Sequence, residues 1–322
     1  MPPFDVIGIG NALVDVISHE QDAFLEEQGL RKGIQALVDA TAAERLYGAM
    51  GTAAETSGGS AANTLAGLAS FGGRGAFLGR VADDQLGAVY VHDIEAVGVH
   101  FPLSRATDGS PTGRCLIVVT PDAERTMSTF LGAAAEIGPA DIDEAVVGAA
   151  AICYLEGYLF DPPQARDALA KAVAASHRAG NRVALSMSDP GCVERNGAAI
   201  AEALDGVDIL FGNEDELALL FGTDPDSAFA EAAARCEVVA MTRGAEGCVV
   251  ARGDERATVP AVPVPAVVDT TGAGDLFAAG FLRGLTTGRS LTGCAELGAL
   301  AAAEVIAHVG ARPLVPLADL AP

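Results

Sequence analysis

Lysine is nearly missing from this chain of 322 residues, with only Lys32 and Lys171 present. Neither stands beside a glycine-rich turn of the right pattern. That excludes the Gly-Lys-Ser/Thr phosphate loop and disfavours a lysine Schiff-base enzyme. Positive charge is scarce altogether, and the net charge of -23 argues against passive affinity for nucleic acid or an anionic membrane. An anionic ligand would have to be held by local donors and by a metal ion. The six cysteines show neither Cys-x-x-Cys nor a Cys/His ligand spacing, and read as small buried hydrophobes of a reducing compartment. No apolar run is long enough to span a bilayer, since Ala145 to Leu155 stops at Glu156. The opening Met-Pro-Pro-Phe-Asp lacks a basic region followed by a long apolar stretch, so a cytoplasmic location is expected. Repeats and low-complexity tracts are absent. Half of the residues are hydrophobic, enough for a sizeable core.

The stretch that stands out is Asp269-Thr270-Thr271-Gly272-Ala273-Gly274-Asp275. Before it, residues 262–268 are β-branched and punctuated by proline, which suits a strand or extended chain. After it, apolar residues at 276, 277, 281, 282 and 285 have helical spacing. Extended chain, glycine turn and helix start together make an anion site from free backbone amides. Asp275 is out of place in a purely anion-binding turn. It serves either as a helix cap or as a base that takes a hydroxyl proton while the amides hold a phosphoryl group.

In chain order, residues 5–11 predict a first strand ending in a glycine turn. Gly8-x-Gly10 lacks the third glycine of a dinucleotide-binding fingerprint, because Leu13 stands there. Residues 12–17 continue as strand, with Asp15 pointing either to water or toward sugar hydroxyls. A helix over 21–28, a strand over 35–38 and a helix over 40–50 follow. Gly58-Gly59 then opens a helix that carries Asn63 one turn later, on the side where a ligand could approach the backbone. A strand is expected over 74–80 and a helix over 85–97. Residues 111–120 and 125–130 flank the turn-like tetrad 121–124 and predict a β-hairpin, from which a small lid over a cleft could come. Arg125 is either a solvated turn arginine or a group that reaches a phosphate.

From residue 140 strands at 150–155, 182–186, 207–211 and 238–242 alternate with helices at 163–178, 196–204, 213–221 and 226–235. This predicts a parallel sheet covered by helices, with ligands at the C-terminal ends of its strands. Glu156-Gly157-Tyr158, Asn213-x-x-Glu216 and Thr242-Arg243-Gly244 fall there. The tetrad from Asn213 to Glu216 fits a capping box, and equally an amide and carboxylate that order Mg²⁺ waters. A packing helix over 291–308 ends the pattern.

Taken in order, Gly10-Asn11 with Asp15, the Gly58-Gly59 helix with Asn63, Asn213-x-x-Glu216, Thr242-Arg243-Gly244 and the Gly272–Asp275 turn resemble the PfkB (ribokinase-like) kinases across nearly the full chain. Residues 5–17, 111–115 and 207–214 are most similar to the adenosine kinase branch. The resemblance implies a doubly wound, mostly parallel α/β sheet flanked by helices, as a single domain over 1–322. A small β lid would come from roughly 12–40 and 106–131. It implies ATP-dependent phosphorylation of a hydroxymethyl group on a ribofuranoside, adenosine first, with a free sugar as the alternative and a non-catalytic nucleoside-binding protein as a distant one.

Asp275 would be the general base and Gly272, Ala273 and Gly274 the anion hole. Arg125 would close on the phosphates, and Asn11, Asp15, Gly58, Gly59, Asn63 and Tyr158 would hold the acceptor. Asn213, Glu216, Thr242, Arg243 and Gly244 would border ATP, with Glu216 acting on Mg²⁺ through water. Asp269, Thr271 and Gly310 mark a monovalent cation site, for instance for K⁺. Two positions depart from the adenosine kinase pattern. Thr271 replaces an asparagine, and Glu156 introduces an acid expected to bear on what the base pocket accepts. A monomer or homodimer is expected, binding ATP and a small molecule, with no nucleic acid and no membrane.

Overall fold

The computed structural model describes residues 3–103, 105–122 and 124–321. Its strands are β1 (Phe4–Ile9), β2 (Leu13–His19), β3 (Gln35–Leu37), β4 (Ala53–Gly58), β5 (Gly75–Leu78), β6 (Val99–His100) and β7 (Gly113–Val119). They continue as β8 (Arg125–Phe130), β9 (Ala150–Glu156), β10 (Arg182–Ser186), β11 (Ile209–Asn213), β12 (Val238–Thr242), β13 (Cys248–Arg252) and β14 (Glu255–Val259). The larger sheet runs β14-β13-β12-β11-β10-β9-β1-β5-β6. From β12 to β6 every pairing is parallel, and β13 and β14 add an antiparallel edge.

The central strands are apolar on both faces, so successive residues feed opposite cores. Val6, Ile152, Tyr154, Ala184 and Ile209 pack with the helices Ser60–Ser70, Ala273–Thr286 and Leu291–Val305. Ile7, Cys153, Leu155, Val183 and Leu210 pack on the other side with Pro163–Arg178, Pro190–Ala203 and Pro225–Arg235. Two buried faces are what a parallel sheet needs, since crossover helices cover both sides. The register brings Ile9 beside Leu155, Glu156 beside Ser186, and Asn213 beside Thr242. The C-terminal ends of five neighbouring strands therefore open along one edge, where ligands lie in such sheets.

The smaller sheet has the order β3-β8-β7-β2-β4. β7 and β8 form the expected hairpin, although Ala123 of the tetrad 121–124 lies outside the described residues. β4 lies outside both segments expected to build the lid. It pairs antiparallel with β2 and leads directly into the helix at Ser60.

Other boundaries also moved. The first strand ends at Ile9, and residues 262–268 form no strand. The helix expected over 196–204 starts at Pro190, because Asp189 caps it by accepting from the Cys192 amide at 2.7 Å. The last packing helix stops at Val305. No described helix is long and apolar enough to cross a membrane.

Candidate active site

A cleft of about 1160 Å³ lies between the strand ends of the large sheet and the inner face of the small one. Asp275 sits on its floor as the third residue of the helix Ala273–Thr286. One carboxylate oxygen accepts from the Ser60 hydroxyl at 2.6 Å and the other from the Asn63 amide NH₂ at 3.2 Å. Burial raises the carboxyl to about 6, against the pull of these two hydrogen bonds. Gly272, at φ +79°, turns the chain into the helix, and a Cβ there would lie 2.8 Å from the Ala311 Cα. The amides of Gly272, Gly274 and Asp275 have no acceptor among the described residues, whereas the Ala273 amide already donates to the Thr270 carbonyl at 3.2 Å. The anion hole expected from Gly272, Ala273 and Gly274 thus loses one free donor, since that of Ala273 is shared with the turn.

At one end of the cleft Asn11 is 2% exposed and its NH₂ donates to Glu156 Oε1 at 2.8 Å. The same oxygen accepts from the Asn11 amide at 3.2 Å, and Oε2 accepts from the Ala61 amide at 2.9 Å. With its NH₂ so engaged, Asn11 leaves Oδ1 buried and without a donor among the described residues, which suits a ligand hydroxyl. Burial pushes Glu156 up to about 7, with Asp275 adding to the rise. Glu156, expected to bear on a base pocket, lines the cleft and ties the chain after β1 to the start of the helix Ser60–Ser70.

Asp15 has no hydrogen-bond donor among the described residues, and burial raises it to about 6 although Arg312 and Arg125 favour its charge. Its carboxylate leans on Gly58, where a Cβ would lie 2.5 Å away. Gly58 itself does not line the cleft and so makes room for Asp15, while Gly59 and Asn63 do line it.

Arg125, from β8, pairs with Asp269 and is not aimed at open space. Asp269 also accepts from the Gly310 amide at 2.9 Å, the Thr271 amide at 3.0 Å and the Thr271 hydroxyl at 2.7 Å. Burial opposes ionisation of Asp269, but these donors and the guanidinium outweigh it and hold its carboxyl below the usual range. In this arrangement the Asp269 carboxylate is taken by Arg125 and by the Thr271 and Gly310 donors, which leaves the carbonyl oxygens of Thr271 and Gly310 as the groups open to a monovalent cation.

At the other end Asn213 caps the helix Glu214–Phe221 and forms a reciprocal capping box with Glu216. Glu216 is 4% exposed. Its oxygens accept from the Asn213 amide at 2.8 Å and side chain at 2.9 Å, and burial raises it to about 7, with Asp189 and Asp215 adding to the rise. Among the described residues no group of three or more His, Cys, Asp or Glu could hold a metal ion. A carboxylate at the cleft wall, with Asp189 and Asp215 near it, suits Mg²⁺ carried in chiefly by phosphates and water.

Thr242, Arg243 and Gly244 line this end, but Arg243 spends its charge on Asp226 and, at 3.9 Å, Glu214. Tyr158 lies between the two ends, where burial and then Asp189 push its hydroxyl far above the ordinary range. The sequence reading missed Ser60, Asp189 and Arg312. Ser60 directly follows the glycine pair and could have been read as a helix-start hydroxyl. Arg312 carries no local signal, since its partner Asn63 is 249 residues away.

An acid beside open helix amides, roofed by a mixed β-sheet, is the working arrangement of an ATP-dependent phosphotransferase that acts on a hydroxyl group. The chain belongs to the pfkB family of carbohydrate kinases, whose model matches residues 35–318. It is 50% identical to the adenosine kinase from Sinorhizobium meliloti, covering 99% of this chain and 98% of that one with a TM-score of 0.91. A probable sugar kinase from Rhizobium etli is 45% identical, covering 100% and 98% with a TM-score of 0.92. The adenosine kinase of Saccharomyces cerevisiae is 29% identical over 328 residues, 95% of each chain. The ribokinase-like fold expected from the sequence is thus the one found.

Proposed function

We propose that the protein transfers the γ-phosphoryl group of ATP to the 5′-hydroxymethyl group of a nucleoside, adenosine first. The observation that carries this reading is the place of Asp275, at the meeting point of the polar acceptor end and the strand ends that border ATP. The acceptor hydroxyl gives its proton to Asp275 as its oxygen forms a bond to the γ-phosphorus in line with the departing ADP oxygen. The amides of Gly272 and Gly274 hold the phosphoryl oxygens as charge spreads over them. A carboxyl at about 6 is ionised at neutral pH and still basic enough to accept a proton.

Asn11 Oδ1, Asp15, Gly59 and Asn63 hold the ribose hydroxyls. Asn213, Thr242 and Gly244 would border ATP, and Glu216 would face the Mg²⁺ that neutralises phosphate charge when bound. Arg125 must leave Asp269 to reach the phosphates, and the small sheet then acts as the lid. The preference for a nucleoside over a bare sugar rests on that sheet's inner face, where Leu13, Leu37, Ile117 and Met127 line the cleft, with Leu131 just after β8. A flat base covers apolar surface of this kind, and a free sugar does not.

The test is ADP release with Mg-ATP and adenosine, inosine, guanosine, ribose or fructose. Turnover with adenosine far above the free sugars is expected. Turnover with ribose or fructose alone would sink the nucleoside reading and leave the sugar kinase in its place. Tight adenosine binding with no ADP released from any acceptor would point to a binding protein.

A further inference from the structure

Arg312 belongs to the segment after the last long helix, far in sequence from the residues it serves. Its Nε donates to Asn63 Oδ1 at 3.3 Å, and Nη1 donates to Asp93 Oδ2 at 3.3 Å. Asp93 also takes the Ser57 amide at 2.7 Å and hydroxyl at 2.5 Å. Asn63 is 6% exposed, and its NH₂ meets Asp275. An asparagine amide is close to symmetric in shape, so its neighbours decide which end faces which way. A guanidinium carries donors alone, and the carbonyl oxygen must face it. The NH₂ is then committed to the carboxylate.

We propose that Arg312 is a positioning residue for phosphoryl transfer: it sets the Asn63 amide so that the NH₂, and not the carbonyl, is presented to Asp275. The inference rests on the reading of Asp275 as base. Without Arg312 the amide is free to rotate, and a carbonyl oxygen facing Asp275 would favour the protonated, inactive acid. Arg312 also acts on the charge of the site as a whole. The groups that face Asp275 are Ser60 and Asn63 from the helix Ser60–Ser70, Asp15 from β2, and Tyr154, Glu156 and Tyr158 from in and just after β9. Arg312 and Arg125 are the cations that favour ionisation of Asp15. Arg312, which also pairs with Asp93 at 3.3 Å, thus stands beside Asp15 and reaches Asp275 through Asn63.

The experiment is the pH dependence of kcat/KM from pH 5 to 9, with Mg-ATP and adenosine (or the best acceptor in the panel above). It compares the unaltered protein with Arg312→Gln, Arg312→Lys, Asp93→Asn and Asp275→Asn. In Arg312→Gln the acid limb should move up by about one unit, and kcat at pH 7.5 should fall about tenfold. Arg312→Lys should bring the limb back to within about 0.3 unit, by restoring the charge. It should still show kcat about threefold low, because the Nε donor is gone. Asp93→Asn should lower the melting temperature and leave the limb in place.

A wild-type limb in Arg312→Gln overturns the inference, as does an equal shift in Asp93→Asn, which would make Arg312 a structural clamp. Should Arg312→Gln fail to fold, Arg312→Lys decides alone, and an unchanged kcat in it overturns the inference. Full turnover in Asp275→Asn, or silence with every acceptor, brings down the base reading and this inference together. A dead Asp275→Asn beside a wild-type Arg312→Gln brings down this inference only.

Discussion

The two ends of the cleft are built by opposite means. At the proposed acceptor end the polar groups come from the turn after β1, β2, the helix Ser60–Ser70, β9, the Gly272 turn and the C-terminal segment, and most of them bind one another across the chain. At the ATP end Asn213 and Glu216 bind each other within one helical turn, and Arg243 turns to Asp226 and Glu214. The acceptor end is therefore preorganised by tertiary structure, and its acids stand at raised pKa values because burial holds them there. Local capping chemistry shapes the end proposed for ATP, which on that reading would leave much of the ligand's charge to Mg²⁺ and water. Specificity and chemistry should reside at the first end and nucleotide affinity at the second.

The largest effect expected is that of Asp275→Asn, which should lower kcat by about 10²- to 10⁴-fold, the usual worth of a general base. The same variant should melt higher than the unaltered protein at pH 8, since a buried charge is gone. Activity retained in the folded variant would leave the acceptor end without its chemistry. Next comes Gly272→Ala, which forces a left-handed φ on a side chain against Ala311. A loss of at least tenfold in kcat with a lower melting temperature is expected. Glu216→Gln should raise KM for Mg-ATP roughly fivefold and leave the acceptor KM alone. A shift in the acceptor KM instead would dissolve the division between the two ends.

A smaller effect concerns pH and stability. Asp15 and Asp275 near 6, and Glu156 and Glu216 near 7, all stand above their unfolded values. The folded state then binds more protons than the unfolded one between about pH 4 and 7, and the stability so gained is lost as pH rises through the folded pKa values. The melting temperature should fall by a few degrees from pH 5.5 to pH 8, and a flat or rising profile in calorimetry would contradict the burial argument. The smallest effect is on the resting protein: exchanging K⁺ for Na⁺ or tetramethylammonium should leave the melting temperature without ligands within about one degree, because Arg125 already neutralises Asp269 there.

How much of this could be read beforehand follows the same division. Local signals carried the helix boundaries at Pro163–Arg178, the strands Arg182–Ser186 and Val238–Thr242, the capping box at Asn213 and the glycine turn before Asp275. Each depends on residues within one turn of each other. Asp189-Pro190 was an equally local helix start and was overlooked. What local pattern cannot hold is partnership at a distance. Nothing near Asp269 tells that Arg125 will occupy it, and nothing near Glu156 tells that its oxygens will be taken by Asn11 and Ala61. The strand β4 is poor in β-formers, Ala-Ala-Glu-Thr-Ser-Gly, and exists because β2 offers it an edge.

The long reach of the site's contacts also bears on the order of events in folding. Asn11 meets Glu156 across 145 positions, Ser60 meets Asp275 across 215, and Asn63 meets Arg312 across 249. Such contacts carry the largest loop-closure cost and form after nearer neighbours have paired. During refolding, recovery of acceptor binding should therefore trail the recovery of secondary structure, and an added acceptor should speed only the closing phase.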